Sequence, residues 1–240
     1  MKVRLDRLLV DRGLAESREK AQALIMAGEV LLNGQKAAKP GQAVRDDAAL
    51  EVLARPPYVS RGGFKLAAAL REFSIDVRGR VCLDIGASTG GFTDVLLQAG
   101  AARVHAVDVG TGQLAWALRT DLRVAVHEGL NARELQFSDI GELVWLVACD
   151  VSFISVTLIL PPAARLLQPD GRMVILIKPQ FEVGKGQVGK GGIVREPSLH
   201  QSACQRVESA ARELGFSTKI MESPILGGEG NKEFLLYAHH

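Results

Sequence analysis

The stretch that most constrains this chain is Val81-Cys82-Leu83-Asp84-Ile85-Gly86-Ala87-Ser88-Thr89-Gly90-Gly91-Phe92. An apolar run rich in β-branched residues stops at a glycine, passes through small residues and resumes as an amphipathic segment from about Phe92 to Gln98. That order reads as the strand, tight turn and helix of an α/β unit. Glycines let the backbone approach a ligand, and the free N–H groups of a helix start favour electron-rich groups, so a ligand is expected at this turn. Val104-His105-Ala106-Val107-Asp108 follows as a second strand ending in an acid. Nucleotide-binding α/β folds place there the carboxylate that holds a ribose diol.

Spacing within the turn separates cofactors. A dinucleotide fingerprint reads G-x-G-x-x-G, whereas this chain reads Asp84-x-Gly86-x-x-x-Gly90-Gly91, with Ser88 in the middle position. The pattern resembles the S-adenosylmethionine loop of class I methyltransferases. That resemblance implies that Asp84, Gly86, Ser88, Gly90, Gly91 and Asp108 hold this cofactor. Asn131 lies after the third strand, where such folds place adenine contacts, although a loop Asn equally serves turn chemistry. A glycine turn that only joins a strand to its helix is the competing reading, and Asp108 weighs against it.

Composition limits the partners. A chain of 240 residues can bury one sizeable core and carry a small second unit. The formal net charge of +2 announces no strong field for a polyanion. Residues 1–60 hold ten Lys/Arg against eight Asp/Glu, so the whole basic surplus is N-terminal. Cys82, Cys149 and Cys204 lack metal-ligand spacing and read as reduced thiols, with no metal site expected. Met1-Lys2-Val3-Arg4 has no signal-peptide pattern, and Asp150 interrupts the most membrane-like run, Leu143 to Leu160. A cytoplasmic location without a membrane span is expected.

At the N-terminus, residues 4 to 12 predict a helix with Leu5, Leu8 and Leu9 inward, stopped by Gly13. Ser17 suits the N-cap of a second helix through Ala27, with Ala21, Leu24 and Ile25 inward and Gly28 as its stop. Asn33-Gly34 after Val30-Leu31-Leu32 signals a hairpin. Arg55-Pro56-Pro57-Tyr58 marks a boundary, giving a first domain over 1–55, a linker over 56–60 and a second domain over 61–240.

Arg4-Leu5-Asp6-x-Leu8-Leu9-Val10-x-x-Gly13-Leu14, Ser17-Arg18-x-x-Ala21 and Gly28-x-Val30-x-x-Asn33-Gly34 together resemble the S4 RNA-binding domain. The resemblance implies a small α+β fold whose second-helix face rests on structured RNA. It places Arg4, Arg18, Lys20 and Lys36 at phosphates, with Arg61 of the second domain as a further RNA contact. Solvated charges on a structural appendage are the competing reading.

Beyond the boundary, Ser60-Arg61-Gly62-Gly63-Phe64-Lys65-Leu66 leads into a helix through about Phe73. Strands are expected at Val124 to His127, Leu143 to Cys149, Met173 to Ile177, Ser217 to Glu222 and Glu233 to Ala238, and helices at Leu114 to Arg119 and Pro197 to Leu214. Leu158 to Leu167 reads as helical in part, interrupted by Pro161-Pro162. Strands alternating with helices imply an α/β fold of the Rossmann-like class: a mostly parallel, seven-stranded sheet covered on both faces, with ligands at the strands' carboxyl ends. Gly184-Lys185-Gly186-Gln187-Val188-Gly189-Lys190 imitates a phosphate-binding P-loop, but Gly191 stands where Ser or Thr should ligate magnesium. It reads as a glycine loop beside the site, or as a plain linker.

Lys65, Asp150, Lys178 and Glu233 fall at the edges of separate elements. Their order resembles the Lys-Asp-Lys-Glu tetrad of FtsJ-like ribose 2′-O-methyltransferases. Together with the S4-like module, Asp108-Val109-Gly110-x-Gly112-Gln113-Leu114-Ala115-Trp116, Asp150-Val151-Ser152-Phe153-Ile154-Ser155 and Lys178-Pro179-Gln180-Phe181-Glu182-Val183-Gly184-Lys185-Gly186-Gln187 resemble the TlyA, or haemolysin A, family over nearly the whole chain. Thr111 and Glu128-Gly129-Leu130 depart from that family's pattern. The resemblance implies a cytidine 2′-O-methyltransferase acting on ribosomal RNA or a ribosomal subunit. Because the chain ends close to its last strand, it further implies large-subunit RNA as the substrate.

A ribose hydroxyl is a poor nucleophile at neutral pH, so methylating it needs a base or a field that favours the alkoxide. The tetrad supplies Lys178 as that base beside Lys65, with Asp150 and Glu233 orienting the amines. Asp150-Val151-Ser152-Phe153 replaces the Asn/Asp-Pro-Pro-aromatic run common in amino-group methylation, and Cys149 lacks the Pro-Cys setting of a base C5 nucleophile. Three functions stay open: a ribose methyltransferase, a non-catalytic RNA-binding or ribosome-assembly protein, and a pore-forming haemolysin. The first uses both the glycine loop and the tetrad and is the reading adopted.

Overall fold

The computed structural model describes residues 2–53, 57–228 and 230–240, with the backbone alone at residue 185. The chain divides into two compact units, Met1–Pro57 and Tyr58–His240. The expected end of the first domain at Arg55 and the start of the linker at Pro56 lie outside the described residues.

In the first unit, β1 (Lys2–Arg4) leads into α1 (Leu5–Asp11), followed by α2 (Arg18–Met26), β2 (Val30–Leu32), β3 (Gln35–Lys36), β4 (Ala43–Arg45) and β5 (Leu50–Val52). Leu5, Leu8 and Leu9 of α1 meet Ala21 and Ile25 of α2 in one buried cluster with Val30 and Val44. Ser17 caps α2 by accepting from the backbone N–H of Lys20 at 3.3 Å. Asn33 and Gly34 take positive φ values of 52° and 80°, as a two-residue hairpin turn between β2 and β3 requires. β5 flanks β2 on its other side, and β1 pairs with β4. The three-residue strands β1, β4 and β5 were not expected, because segments so short carry no readable alternation.

The second unit runs α3 (Gly62–Glu72), β6 (Val81–Ile85), α4 (Gly91–Gln98), β7 (Arg103–Asp108), α5 (Trp116–Arg119), β8 (Val124–Glu128), α6 (Phe137–Ile140) and β9 (Val144–Cys149). It continues through α7 (Leu160–Ala164), β10 (Leu167–Ile177), α8 (Pro179–Glu182), α9 (Pro197–Glu213), β11 (Ser217–Glu222) and β12 (Phe234–His239). Among the described residues these strands form a seven-stranded sheet in the order β11-β12-β10-β9-β6-β7-β8. β6 to β10 pair in parallel, and β12 runs antiparallel between β10 and β11.

Alternation along the strands divides the core. Cys82, Val104, Leu146 and Val174 pack on one face with Leu66 of α3 and Leu96 of α4. Leu83, Val107, Val147 and Ile175 pack on the other with Leu160 of α7 and Val207 of α9. Strand order reverses between β6 and β9, so the crevice for a ligand opens where Gly86 and Asp150 leave the sheet.

Two local readings change. Pro161 and Pro162 lie in the first turn of α7 instead of interrupting it, because the first N–H groups of a helix have no partner to lose. β10 begins at Leu167, six residues before the buried run, with an irregular register between Leu167 and Arg172 that the apolar pattern could not show.

Candidate active site

The floor of the crevice is built by close approach. Gly86 has φ 83°, and a Cβ there would collide with the carbonyl oxygen of Asp150. Gly90, at φ 98°, takes a backbone conformation that side chains rarely adopt, and a Cβ there would push aside the ends of Leu114 and Leu118. Gly91 lies against Ser60 in the same way. Asp108, at the end of β7, accepts from the backbone N–H of Ser88 and of Gly110, both at 2.7 Å. The carboxylate thus stitches the loop after β6 to the loop after β7.

Two cavities share Gly86, Ser88, Asp150 and Ser152 in their walls. The larger, about 620 Å³, lies among Asp108, Gln113 and Asn131, with Val109, Leu130, Val151 and Ile159 as apolar walls. The smaller, about 290 Å³, is lined by Arg61, Lys65, Asp150, Ser152, Lys178 and the backbone of the glycine loop. Such a pair suits a nucleoside in the apolar space and a charged, reacting group in the polar one.

Expected cofactor residues divide between these walls and the layer beneath. Gly86, Ser88 and Asp108 line the larger cavity, while Gly91 lines the smaller. Asn131 also lines the larger cavity, but its side chain accepts from Arg133 N at 3.2 Å and donates to Glu134 Oε1 at 3.0 Å, so it caps a turn as well. Gly90 is absent from both linings and instead starts α4. Asp84 differs most from expectation. It is fully buried, lines neither cavity, and accepts from Thr93 N at 2.8 Å and Thr93 Oγ1 at 2.7 Å. Burial pushes its carboxyl up to about 7, against the pull of those two hydrogen bonds. Its visible work is to hold α4 against β6. Glu128, which departs from the family pattern, accepts from Gly112 N at 2.9 Å and pairs with Arg119, bracing the loop beyond Asp108.

The four residues of the expected tetrad come together as two ion pairs. Lys65, in the first turns of α3, meets Glu233 Oε2 at 2.5 Å with both side chains buried. Lys178, leaving β10, lies 2.5 Å from Asp150 Oδ1, leaving β9. Lys65, Asp150 and Lys178 share the smaller cavity, with Glu233 behind Lys65. Cys149, next to Asp150, is fully buried and its thiol is pushed up by desolvation, which leaves it unsuited to nucleophilic attack.

Three residues that the sequence reading passed over also shape the site. Ser152 Oγ accepts from Lys178 Nζ at 2.9 Å. Glu182, buried after α8 begins, accepts from Ser155 Oγ at 2.5 Å and Val156 N at 2.7 Å, so it ties the segment that follows Lys178 to the loop that follows Asp150. Burial pushes the Glu182 carboxyl up. Asn231 accepts from Val194 N and donates to Gly192 O, both at 2.9 Å, fastening the glycine loop two residues before Glu233. Glu182, set between Phe181 and Val183, carried a weak signal of burial, whereas Asn231, in the polar run Gly230-Asn231-Lys232-Glu233, carried none.

The expected RNA contacts fall into two sets. Arg4 and Arg18 both donate to Asp6, a fully buried carboxylate that also accepts from Gln22. The hydrogen bonds from Arg4 hold the Asp6 carboxyl well below the usual range. Lys20 and Lys36 are exposed. Arg61 belongs to the second unit, where it donates to Leu226 O at 2.9 Å.

Comparison with known proteins adds names to this geometry. The model of the FtsJ-like methyltransferases matches residues 58–240, and that of the S4 domain matches residues 3–49. The chain is 51% identical over 239 residues to the 16S/23S rRNA (cytidine-2′-O)-methyltransferase TlyA of Mycobacterium tuberculosis, covering 98% of this chain and 89% of that one. It is 44% identical over 239 residues to Hemolysin A of Brachyspira hyodysenteriae, covering 98% and 99% of the two. A solved structure, a putative hemolysin from Streptococcus thermophilus, aligns with a TM-score of 0.76 at 47% identity, covering 99% of this chain and 88% of that one. Among the described residues no helix is long and apolar enough to cross a membrane.

Proposed function

Because the chain belongs to the FtsJ-like methyltransferases and, with its S4 domain, to their TlyA group, we propose that it methylates a ribose 2′-hydroxyl of cytidine in ribosomal RNA. The observation that carries this reading is the pair of Lys–carboxylate contacts meeting in a polar cavity that adjoins a larger, apolar one.

The methyl donor is S-adenosylmethionine, which when bound supplies an electrophilic methyl whose carbon–sulfur bond breaks with its electron pair left on sulfur. Asp108 would accept from the ribose hydroxyls of its nucleoside, and Leu130, Val109 and Asn131, which line the same cavity, would hold its base. Gly86, Ser88 and Gly91, which line the smaller cavity, would lie against its polar end. Asp84 acts from below by fixing the loop through Thr93.

In the smaller cavity Lys178 takes the proton from the target hydroxyl as that oxygen bonds to the methyl carbon. Lys65 lies beside it and favours the developing alkoxide, while Glu233 and Asp150 hold the two amines in place. Arg61, in the same wall, receives the phosphate of the target nucleotide. Arg4, Arg18, Lys20 and Lys36 of the S4 domain neutralise phosphates of the folded RNA and set its register without reading sequence.

The test is methyl transfer to ribosomal RNA from cells lacking this protein, with ribose methylation mapped on both subunit RNAs. A new cytidine 2′-O-methyl is expected. Lys178→Ala should slow single-turnover transfer by roughly 10²–10⁴, the range for loss of a general base, with cofactor affinity by titration calorimetry near wild type. RNA binding without any ribose methylation would overturn the reading and leave a non-catalytic RNA-binding protein.

A further inference from the structure

Asp150 and Ser152 share the Lys178 amine unequally. Nζ donates to Ser152 Oγ at 2.9 Å with hydrogen-bond geometry. Asp150 Oδ1 is nearer, at 2.5 Å, yet it accepts no hydrogen bond of acceptable angle. Among the described residues, the aligned hydrogen bond of this amine is therefore the one to Ser152. Ser152 lines both cavities. Phe153, the next residue, has a φ of 65°. A non-glycine residue is strained there, and such strain persists where surrounding structure demands the bend.

We propose that Ser152 is a positioning residue for methyl transfer: its oxygen accepts one N–H of Lys178 and thereby fixes the direction in which the amine lone pair meets the ribose proton. The proposal rests on Lys178 being the base. A charged ammonium carries three donors in tetrahedral directions, and the neutral amine keeps two donors and one lone pair. Attraction to a carboxylate sets the distance of Nζ but is nearly indifferent to rotation about the Cε–Nζ bond. One aligned hydrogen bond removes that freedom, and once the amine is neutral the Asp150 carboxylate repels a lone pair on its side, so the lone pair is left pointing along the remaining direction. The proton of the 2′-hydroxyl then passes to Nζ, the ribose oxygen bonds to the methyl carbon, the carbon–sulfur electron pair stays on sulfur, and Ser152 keeps its own proton throughout.

Single-turnover methylation of ribosomal RNA by the full chain, measured across pH, tests this with three variants. Ser152→Ala should lower the plateau rate by roughly tenfold at unchanged RNA and cofactor affinity, since one hydrogen bond to an ionisable group is lost. Ser152→Thr, which keeps the hydroxyl, should recover most of the rate. A Ser152→Ala enzyme with wild-type rate at every pH would overturn the proposal. So would equal slowing by Ala and Thr, which would mark a packing effect. Lys178→Ala in the same series separates the two levels: near-normal transfer by that variant would remove the base itself, whereas a slow Lys178→Ala beside an unaffected Ser152→Ala would remove only the positioning role.

Discussion

Asp6 in the first unit and Glu233 in the second are both buried carboxylates paired with cations, and they leave those cations in different places. Asp6 is fully buried, but the side chains of its partners Arg4 and Arg18 remain 50% and 53% exposed. Glu233 is 3% exposed and its partner Lys65 only 9%. In the first case a buried anion holds one edge of two permanently charged forks that stay half in solvent, where their remaining N–H groups can meet a phosphate at small desolvation cost. In the second the anion and a compact ammonium are both taken out of water beside a cavity, where each charge acts strongly on anything that enters. On the proposed roles, the depth of the cation is what would separate a binding surface from a chemical one.

The largest effect that could break this contrast is loss of the Glu233 charge. Removing one partner of a buried pair generally costs about 3–5 kcal/mol, because the other is left uncompensated. Glu233→Gln should therefore lower unfolding stability in urea by an amount near that range and also slow methyl transfer. Replacing the pair together, as Lys65→Met with Glu233→Met, should restore much of the stability and none of the rate, since a buried ion pair is often matched by well-packed apolar groups. Recovery of rate in the double variant would show the pair to be structural only.

Much of the second unit was legible because its strands are long and apolar and its motifs sit at their ends. Val81 to Ile85 and Val144 to Cys149 emerged within a residue of expectation, and Lys65, Asp150, Lys178 and Glu233 do converge. What failed to show was set by contacts between distant residues. Nothing in the spacing of Asp84 says that Thr93 occupies its carboxylate, or that Ser152 and not Asp150 has the better-aligned contact with Lys178. The first unit was less readable. Its helices carried period and caps, but β1, β4 and β5 are three-residue strands fixed by pairing alone. Asp6 entered the sequence reading only as part of the run Arg4-Leu5-Asp6, although four donor atoms from Arg4, Arg18 and Gln22 converge on it.

A smaller effect is expected from Asp6→Asn. The hydrogen bonds to this charge are strong, but the arginines are half in water and can rehydrate, so a loss of about 1–2 kcal/mol is expected, less than for Glu233. Its acid dependence has a definite sign. The folded-state carboxyl is held below its ordinary value, chiefly by Arg4, so as pH falls the unfolded chain takes up the proton first. The stabilisation is complete above the ordinary range near pH 4 and is lost progressively below it. Urea titrations of the wild type and Asp6→Asn should converge as pH drops below about 4. Parallel curves down to pH 2 would mean that Asp6 does not carry the arginines.

The smallest expected effect is also the one that best separates an aimed cation from a merely exposed one. Lys20 lies exposed on α2, and Ser17 already engages its backbone N–H. Lys20→Ala should change stability by less than about 0.5 kcal/mol, the usual range for a surface site. If Lys20 meets a phosphate, the substitution should reduce the slope of log affinity against log salt for ribosomal RNA by about one counterion, uniformly across sequences. Arg18→Ala removes a similar charge but also one of the donors that steady Asp6, so it should lose that slope together with some stability of the first unit. Its remaining partner Arg4 should then be aimed less well, and the loss in affinity should exceed that of Lys20→Ala at equal salt. Equal affinities for the two variants at every salt concentration would mean that the buried carboxylate adds nothing to RNA binding. A fall in stability without any change of slope would place Arg18 wholly inside the fold.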